Sequence, residues 1–337
     1  MRPPRRATRT APALLALALL TALGTACAGT ETPTNEETRI ITDRFGTVEV
    51  PADPQRVVAL GWQEADTVLA LGVQPVGTAS FPLSPDGQVP WQTDLIEGEP
   101  TRVNTTRAGF DVVDLDLESI AALQPDLIVA TTFADLETYH GQLSEIAPVV
   151  GPESATYLTI PWQDQARQIG RALGREDATE TLIDDVQTHI DEAVARNPEL
   201  DGVTYTLGIA TPVGYKAVND PDDFSSVILG EFGMTLTDTI SALPDTGDGS
   251  GSATISPENA RQLDADILLL SFFAVGGSQQ ALSDPVFTSI PAVADGRYVD
   301  VDAASLTALR NASPLSIDYT IGELVEGQIA PNVAAHN

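Results

Sequence analysis

Histidines and paired acids are the first side chains to test for catalysis or metal binding, and neither is arranged for it here. The chain has three histidines: His140 stands alone, His189 lies among acids in a predicted helix, and His336 is at the chain end. A bare transition metal needs several soft or imidazole ligands close together. We therefore expect no metal site and no zinc or manganese importer function.

Hydrolase chemistry has equally little support in the sequence. The pairs Asp184-Asp185 and Asp222-Asp223 resemble carboxylates of glycoside hydrolases or calcium sites, but in a chain with 48 Asp and Glu they are more often solvated surface. A serine hydrolase requires a G-x-S-x-G turn, and the run 249–252 (GSGS) is interpreted as a flexible linker. We predict that the protein is not an enzyme and needs no cofactor.

Two glutamates occupy equivalent places in a weak internal repeat. Glu118 precedes Asp126 by eight residues, Glu258 precedes Asp266 by eight, and an aliphatic strand follows each aspartate. Each glutamate is near a predicted helix start, where an acid complements the helix dipole by about 0.3–1 kcal/mol without any partner. The repeat itself indicates two similar halves.

Basic side chains are scarce and therefore informative. The chain has 17 Lys and Arg, four of which lie in the first nine residues, leaving 13. Arg102, Arg107 and Arg310 fall on predicted loops, where a planar, always-charged guanidinium can bind an anionic ligand. The alternative, which stays open, is pairing with the abundant surface acids.

Aromatic residues follow several predicted strands, where the carboxyl ends of a parallel sheet meet. Flat apolar faces with a polar handle suit the rim of a ligand, and of the aromatic residues we favour Trp62 and Tyr215 most. Of the neighbours Phe272 and Phe273, one is expected in the core because adjacent strand residues face opposite ways. The candidates at strand ends are Trp62, Phe133, Tyr215 and Lys216.

The first 26 residues predict a leader rather than a folded element. Four arginines precede an apolar run, 11–23, that is too short to span a bilayer, and the only cysteine, Cys27, follows small residues. We predict a signal peptide (1–26) and a lipid-tethered flexible stalk (27–38), although simple secretion with an incidental thiol remains an alternative. Without the leader the formal charge changes from −31 to −35, which argues against nucleic acid and direct adsorption to anionic lipid.

Behind the stalk, the hydrophobic pattern predicts two α/β lobes joined by helix. The run 39–50 reads as a β-hairpin, and the strand–helix alternation that follows is typical of a parallel sheet with helices on both faces. The pattern predicts a strand that starts with Val73–Val76, a strand Ile267–Ser271 and a final helix from about Ser316 to Ile329. Apolar spacings of three, four and seven predict a long helical segment, which Gly174 can divide and Asn197-Pro198 ends. The predicted parts are an N-terminal lobe with its leading hairpin (39–161), a bridging helical segment (162–198) and a C-terminal lobe (199–332).

Several segments along the sequence resemble those of a known family. Five segments are similar, in order, to segments of binding proteins of ABC importers for iron–siderophores, cobalamin and haem. They are RVVALGWQEADTVLALGVQPVG, DLESIAALQPDLIVAT, LSEIAPVV, ISPENARQLDADILLLS and DPVFTSIPAVADGRYVDVD. The opening TDRFGTVEVPADPQRVVAL is most similar to the iron–siderophore branch. The resemblance implies two Rossmann-like α/β lobes bridged by one long helix, little hinge opening, and capture and delivery without catalysis.

The resemblance also assigns roles. It implies that Glu118 and Glu258 dock onto arginines of the two permease subunits, and that the segment before the final helix, with Arg310, lines the cleft between the lobes. We expect a monomer on the outer face of the cytoplasmic membrane, attached only through a lipid on Cys27, that carries a ferric siderophore. Cobalamin or haem as the ligand, or an envelope scaffold that reuses the fold, are the alternatives.

Overall fold

The computed structural model describes residues 37–82, 84, 87–106, 112–154, 160–247 and 250–336. The predicted signal peptide, most of the stalk with Cys27, and the candidate ligand residue Arg107 lie outside these ranges.

The described chain opens with the predicted hairpin, formed by β1 (Thr38–Asp43) and β2 (Gly46–Pro51). The two strands are antiparallel and pair from Thr38 with Pro51 to Asp43 with Gly46. Asp43 holds the turn by accepting a hydrogen bond from the Phe45 N–H at 2.8 Å, and its second oxygen accepts one from Gly151 N–H at 2.7 Å. The hairpin is thereby fixed to the first lobe.

The N-terminal lobe is built on a five-stranded parallel sheet of order β5-β4-β3-β8-β9, beside which β6 and β7 pair as a separate antiparallel hairpin. Its central strands are short and wholly apolar, as is typical of a parallel sheet covered on both faces. In chain order the elements are β3 (Val57–Ala59), α1 (Trp62–Ala70), β4 (Gly77–Thr78), β5 (Thr101–Arg102), β6 (Asn104–Thr106), β7 (Val112–Leu115), α2 (Leu117–Ala122), β8 (Leu127–Val129), α3 (Leu136–Ser144) and β9 (Val149–Val150).

One strand of this lobe begins later than the sequence predicts. The sequence predicts that Val73–Val76 starts it, but the Val73 N–H bonds to Val68 O at 3.0 Å and completes the end of α1 around Gly72, whose φ is +76°. The strand therefore starts only at Gly77.

Two helices bridge the lobes: α4 (Trp162–Leu173) and α5 (Glu176–Arg196). Gly174, with φ +69°, ends α4 in the left-handed conformation and separates the two helices. Ile169 and Leu173 of α4 pack in a core cluster of the N-terminal lobe, and Ile190 of α5 packs in the main cluster of the C-terminal lobe. The long helix that the family resemblance implies corresponds to the 21-residue α5.

The C-terminal lobe contains a six-stranded sheet of order β13-β11-β10-β14-β15, with β12 also paired to β10. The sheet is mixed rather than parallel, since the turn between β10 and β11 makes β11 antiparallel to both of its neighbours. The elements are β10 (Thr204–Thr211), β11 (Gly214–Val218), α6 (Phe224–Glu231), β12 (Thr235–Leu236), α7 (Asp238–Ser241), β13 (Ser252–Ile255), β14 (Ile267–Ser271), α8 (Pro285–Thr288), α9 (Pro291–Ala294), β15 (Tyr298–Asp300), α10 (Ala303–Arg310) and α11 (Pro314–Tyr319).

Two sequence predictions for this lobe are corrected. Ser252, interpreted as part of a linker, begins β13, because its backbone pairs with Val218 of β11. The regular helix predicted from about Ser316 to Ile329 contains a π-helical stretch, Thr320–Ile329, and continues beyond its predicted end as α12 (Ala330–His336).

The internal repeat seen in the sequence has a structural explanation. Asp126 accepts hydrogen bonds from the backbone N–H groups of Gln55 and Arg56 at 2.7 and 2.8 Å, at the start of β3. Asp266 accepts one from Thr204 N–H at 2.9 Å, at the start of β10. Each lobe thus uses the aspartate before one strand, β8 or β14, to secure the beginning of the adjacent central strand, β3 or β10.

Candidate ligand-binding site

Trp62 lies where a parallel strand ends and a helix begins. It is the first residue of α1, directly after β3, and is half-buried. Its ring packs edge-on against Phe81, which follows β4, with ring centroids 5.4 Å apart. Since strand carboxyl ends and helix amino ends converge at this edge of an α/β sheet, Trp62 is at the place where such folds bind ligands.

The two lobes meet beside Trp62. Gln63, the next residue of α1, donates from its side-chain amide to Ala312 O at 3.3 Å. The ring of Trp91 in the N-terminal lobe lies 5.2 Å from that of Tyr319 in α11. The segment that follows Arg310 is therefore placed next to the start of α1.

Arg310 ends α10 and is held by groups of its own lobe. Its Nη2 donates to Asp223 Oδ2 at 2.7 Å and to Ser250 O at 2.8 Å. Asp223 is nearly buried and also caps α6 by accepting from Ser225 N–H at 3.0 Å. The Arg310 side chain remains 21% exposed, and its Nε has no hydrogen-bond partner among the described residues. The guanidinium is thus oriented by a fixed carboxylate while part of it stays open to a ligand.

Two further candidate cations are half-buried. Arg102 ends β5, and its guanidinium donates to the Thr78 hydroxyl of the adjacent strand. Lys216 lies in β11, paired with Ile209 on one side and Thr254 on the other. Both residues belong to strands. For Arg102 this corrects the sequence analysis, which predicts a loop at this position.

Two aromatic candidates are core residues, in contrast to the ligand-facing position that the sequence analysis gave them. Tyr215 is 8% exposed and stacks on Phe287 at 6.3 Å, and burial raises its pKa. Phe133 is 5% exposed and packs against Tyr139 at 6.1 Å. Tyr215 and Lys216 are neighbours on one strand and so face opposite sides, and Tyr215 takes the core side.

Glu118 and Glu258 are both exposed at the first turn of short helices. Asp116 caps α2, which contains Glu118, by accepting from Ser119 N–H at 2.9 Å. Hydrogen bonds from its own backbone N–H and from the Ser256 hydroxyl lower the pKa of Glu258. Neither glutamate forms an ion pair with any side chain in the described ranges.

The sequence analysis did not single out a buried carboxylate on α1, Asp66. It is fully buried and accepts hydrogen bonds from Trp91 Nε1, Gln92 Nε2 and the Ser313 hydroxyl. Burial raises its pKa to about 7. The available signal was a pair of acids, Glu64 and Asp66, in a short helix that follows a wholly apolar strand, where burial without a partner would be costly.

A cavity of about 590 Å³ lies where β10 and β14 of the C-terminal sheet begin, on the side opposite to the strand ends. Its wall includes Asp266 and Arg297, which already bond to Thr204 and to the Ala265 carbonyl. The polar groups of this wall thus serve the fold, and we assign no ligand to the cavity.

Two other properties of the described ranges bear on function. No group of three or more His, Cys, Asp and Glu side chains within them is arranged to hold a metal ion. None of the helices found there combines the length and the apolar character needed to cross a membrane.

Comparisons with known proteins agree with this architecture. A family model described as "Periplasmic binding protein" matches residues 57–304. A probable siderophore-binding lipoprotein of Bacillus subtilis is 26% identical over 292 residues, which are 82% of this chain and 86% of that protein. A solved periplasmic solute binding protein from Mycobacterium smegmatis has a TM-score of 0.71 at 29% identity, covering 88% of this chain and 98% of that one. A Streptococcus pneumoniae protein in complex with ferrichrome has a TM-score of 0.69 at 23% identity, with 88% and 98% coverage, and supports the fold alone.

Proposed function

Because the chain belongs to the periplasmic binding protein family, we propose that it captures a ferric siderophore outside the cytoplasm and delivers it to an ABC importer. The observation that carries the proposal is the similarity, over most of both chains, to a probable siderophore-binding lipoprotein. The fold of this chain is consistent with ligand binding, because its two lobes meet beside Trp62, at the end of a strand, and Arg310.

The proposed recognition is electrostatic and apolar together. Arg310 supplies a charged planar donor to the anionic oxygens of an iron chelate, and Asp223 keeps it in place. Trp62 covers one flank of the chelate with its ring. Arg102 and Lys216 are secondary contacts, and Tyr215 and Phe133 act only by supporting the two cores.

Delivery is proposed to use the exposed glutamates at the helix starts of each lobe. Glu118 and Glu258 are free of ion pairs with described residues and so are available to arginines of a permease dimer. Cys27 is the proposed lipid attachment point, which would hold a monomer at the outer face of the cytoplasmic membrane. The chain itself performs no catalysis in this scheme.

Ligand titration tests this function. The chain has three tryptophans, one of which is Trp62, so bound chelate should quench its intrinsic fluorescence. We expect saturable quenching by one class among ferric catecholates, ferric hydroxamates and ferric citrate, and none by cobalamin or haem. Trp62→Phe should reduce the quenching amplitude, whereas Trp162→Phe, which removes a tryptophan only 4% exposed, is the matched control. Saturation by cobalamin or haem instead would reassign the ligand, and no response from folded protein would refute the proposal.

A further inference from the structure

Asp66 is a buried carboxylate whose hydrogen-bond partners are all neutral. Trp91 Nε1 donates to its two oxygens at 2.8 and 3.0 Å, and Gln92 Nε2 donates to Oδ1 at 2.5 Å. The Ser313 hydroxyl donates to Oδ2. No arginine, lysine or histidine of the described ranges pairs with it. Burying a carboxylate without a cation is costly, so its retention needs an explanation.

The donors to Asp66 come from both lobes. Trp91 and Gln92 belong to a 3-10 turn of the N-terminal lobe, Pro90–Gln92, whereas Ser313 precedes α11 in the C-terminal lobe. The Ser313 oxygen accepts from Ser316 N–H at 3.1 Å as the cap of α11, which leaves its proton for Asp66. Asp66 is therefore a single acceptor that ties the two lobes together.

Glu64, two residues earlier on α1, provides an internal contrast. It is equally buried, but its oxygens accept from Thr132 N–H and Thr132 Oγ1, both at 2.6 Å, and from Thr131 Oγ1 at 3.4 Å. All of these groups lie at the end of β8 in the same lobe. Glu64 thus secures one lobe, whereas Asp66 joins two.

The segment that Asp66 holds is the one that leaves Arg310. Ser313 is three residues after Arg310, and Ala312 between them accepts the hydrogen bond from Gln63. The exit from α10 is thus fixed from the opposite lobe at two neighbouring points. A shift of this segment would move Arg310 relative to Trp62.

The electrostatic surroundings of Asp66 contain few charges. On its own helix the nearby acid is Glu64, which adds to the rise in pKa that burial causes. Neither β3 nor the turn Pro90–Gln92 has a charged residue. The titratable groups on the other helices that pack against α1 are Asp318 and Tyr319 of α11, and Asp164, Arg167 and Arg171 of α4. Asp318 pairs with His189, and the three α4 groups are at least one-third exposed and have ion-pair partners.

We propose that Asp66 is a positioning residue for ligand capture, whose charged carboxylate holds the N-terminal lobe against residues 311–313 and thereby sets Arg310 in the site. The proposal rests on the proposed function, because Arg310 matters only if an anionic ligand is bound. It adds a cause for the fixed arrangement of the lobes: one carboxylate, bonded across the lobe junction, rather than the bridging helices alone.

Protonation of Asp66 should act in opposite directions on ligand affinity and on stability. A charged carboxylate accepts stronger hydrogen bonds, and a protonated one presents a donor to Trp91, whose indole can only donate. Affinity should therefore fall as pH decreases through about 7, the pKa of Asp66. Stability should change oppositely, because a raised carboxyl pKa favours the folded state at low pH and this contribution is lost as pH rises from about 4 to about 7.

The first test follows Trp91 directly and needs no ligand. Three indole N–H signals are expected in a ¹H–¹⁵N spectrum, and Trp91→Phe identifies that of Trp91. Between pH 5 and 8.5 this signal should shift with a midpoint near 7 in the wild type and at a lower pH in Glu64→Gln, because Glu64 adds to the rise in the pKa of Asp66, and it should not titrate in Asp66→Asn. A Trp91 signal whose position and pH dependence are left unchanged by Asp66→Asn overturns the proposal.

The second test measures the lobe junction and then affinity. With Cys27→Ser, spin labels at Glu145→Cys and Glu231→Cys, both exposed and in different lobes, report the interlobe distance. Asp66→Asn should broaden the distance distribution at pH 8, and Glu64→Gln should not.

For ferrichrome, ferric petrobactin and ferric citrate, each tested separately, Asp66→Asn should raise the dissociation constant relative to wild type about tenfold at pH 8 and less than about twofold at pH 6. Using the ratio at each pH cancels the titration of the chelate itself.

The outcomes separate this inference from the proposed function. If none of the three chelates binds any form, the siderophore assignment fails, and the distance measurement alone decides about Asp66. An unchanged distribution in Asp66→Asn, or an equal effect of Glu64→Gln on distance or affinity at both pH values, means that Asp66 is only structural. Ser313→Ala should reproduce the loss of affinity and the broader interlobe distance distribution expected for Asp66→Asn. Ser313→Thr, which keeps the hydroxyl, should restore both.

Discussion

The charge of Arg310 is paired within the protein, yet part of its side chain is exposed. Asp223 balances its charge through a bond of 2.7 Å, yet about one-fifth of the side chain is exposed. A ligand would therefore meet an oriented guanidinium whose field is partly cancelled, which favours direct hydrogen bonds over long-range attraction. Affinity at this site should depend on geometry more than on net charge.

Replacing Arg310 tests its role in the site. Arg310→Ala should raise the dissociation constant for the bound ferric chelate about 10- to 100-fold, since a hydrogen bond to a charged group contributes about 1.5–3 kcal/mol. Arg310→Lys should be intermediate because lysine lacks the planar fork. The matched control is Arg196→Ala, which breaks surface ion pairs with Glu192 and Glu326. Isothermal titration measures all three, and equal constants for the Arg310→Ala and Arg196→Ala variants would remove Arg310 from the site.

At the residue scale, the sequence indicates which types can bind but not which way they point. Strand alternation could have separated Tyr215 from Lys216, but not decided which of them faces the core; Phe287, the partner that buries Tyr215, is 72 positions away in sequence. Asp66 has the same difficulty, because its partners Trp91 and Ser313 come from distant segments. Long-range contacts of this kind have no local signature.

At the element scale, Gly174 determines how the bridge is divided. It adopts φ +69°, and a Cβ there would meet the Arg39 guanidinium and lie 2.6 Å from Ala52 O. Arg39 in turn donates to the carbonyls of Arg171 and Ala52. The end of α4 is thus packed against the leading hairpin, and only glycine fits.

Gly174→Ala should therefore destabilise the protein more than a similar change elsewhere. Gly202, with φ +80° and no atom within 4 Å of its added Cβ, is the matched control. We expect about 1–2 kcal/mol of conformational strain in both variants and about 1–3 kcal/mol more for Gly174→Ala from steric overlap. Urea denaturation gives the free energies of unfolding, and equal losses would contradict the packing argument.

The elements themselves were predictable where the apolar pattern was strong. The strand Ile267–Ser271 begins and ends where the sequence predicts, and Gly174 divides the long helical segment, as its glycine within the apolar stripe indicates. The π-helical stretch Thr320–Ile329 was not predictable from the sequence, because its apolar residues fit an ordinary helix as well. The mixed sheet was also missed, because the turn at Thr211–Gly214 makes β11 antiparallel without altering its apolar content.

At the scale of the whole molecule, the two glutamates are a matched pair only because the lobes repeat. The same aspartate arrangement secures the neighbouring strand in each lobe, and Glu118 and Glu258 stand eight residues before those aspartates. An internal repeat of this kind suits a partner that itself has two equivalent subunits. Docking should therefore require both lobes.

Charge reversal at both positions should abolish uptake without affecting capture. Glu118→Arg with Glu258→Arg should prevent transport of the ⁵⁵Fe-labelled chelate by cells, because in the proposed complex the new arginines would face positive charges of the permease. The dissociation constant of the free protein should stay within about twofold of wild type. Reversal of Glu145 and Glu231, equally exposed and one in each lobe, is the control. Undiminished uptake by the Glu118 and Glu258 double variant would show that docking uses other residues.

Each sheet is built from one uninterrupted stretch of chain, and this has a consequence for how the protein is made. All strands of the first sheet lie between Val57 and Val150, and those of the second lie between Thr204 and Asp300. Neither sheet borrows a strand from the other, so the first can close while the second half of the polypeptide is still crossing the membrane during export. Ser313, the last partner of Asp66 to emerge, then joins a lobe that is already assembled. Maturation should accordingly proceed in two ordered steps, with the joining of the lobes as the final one.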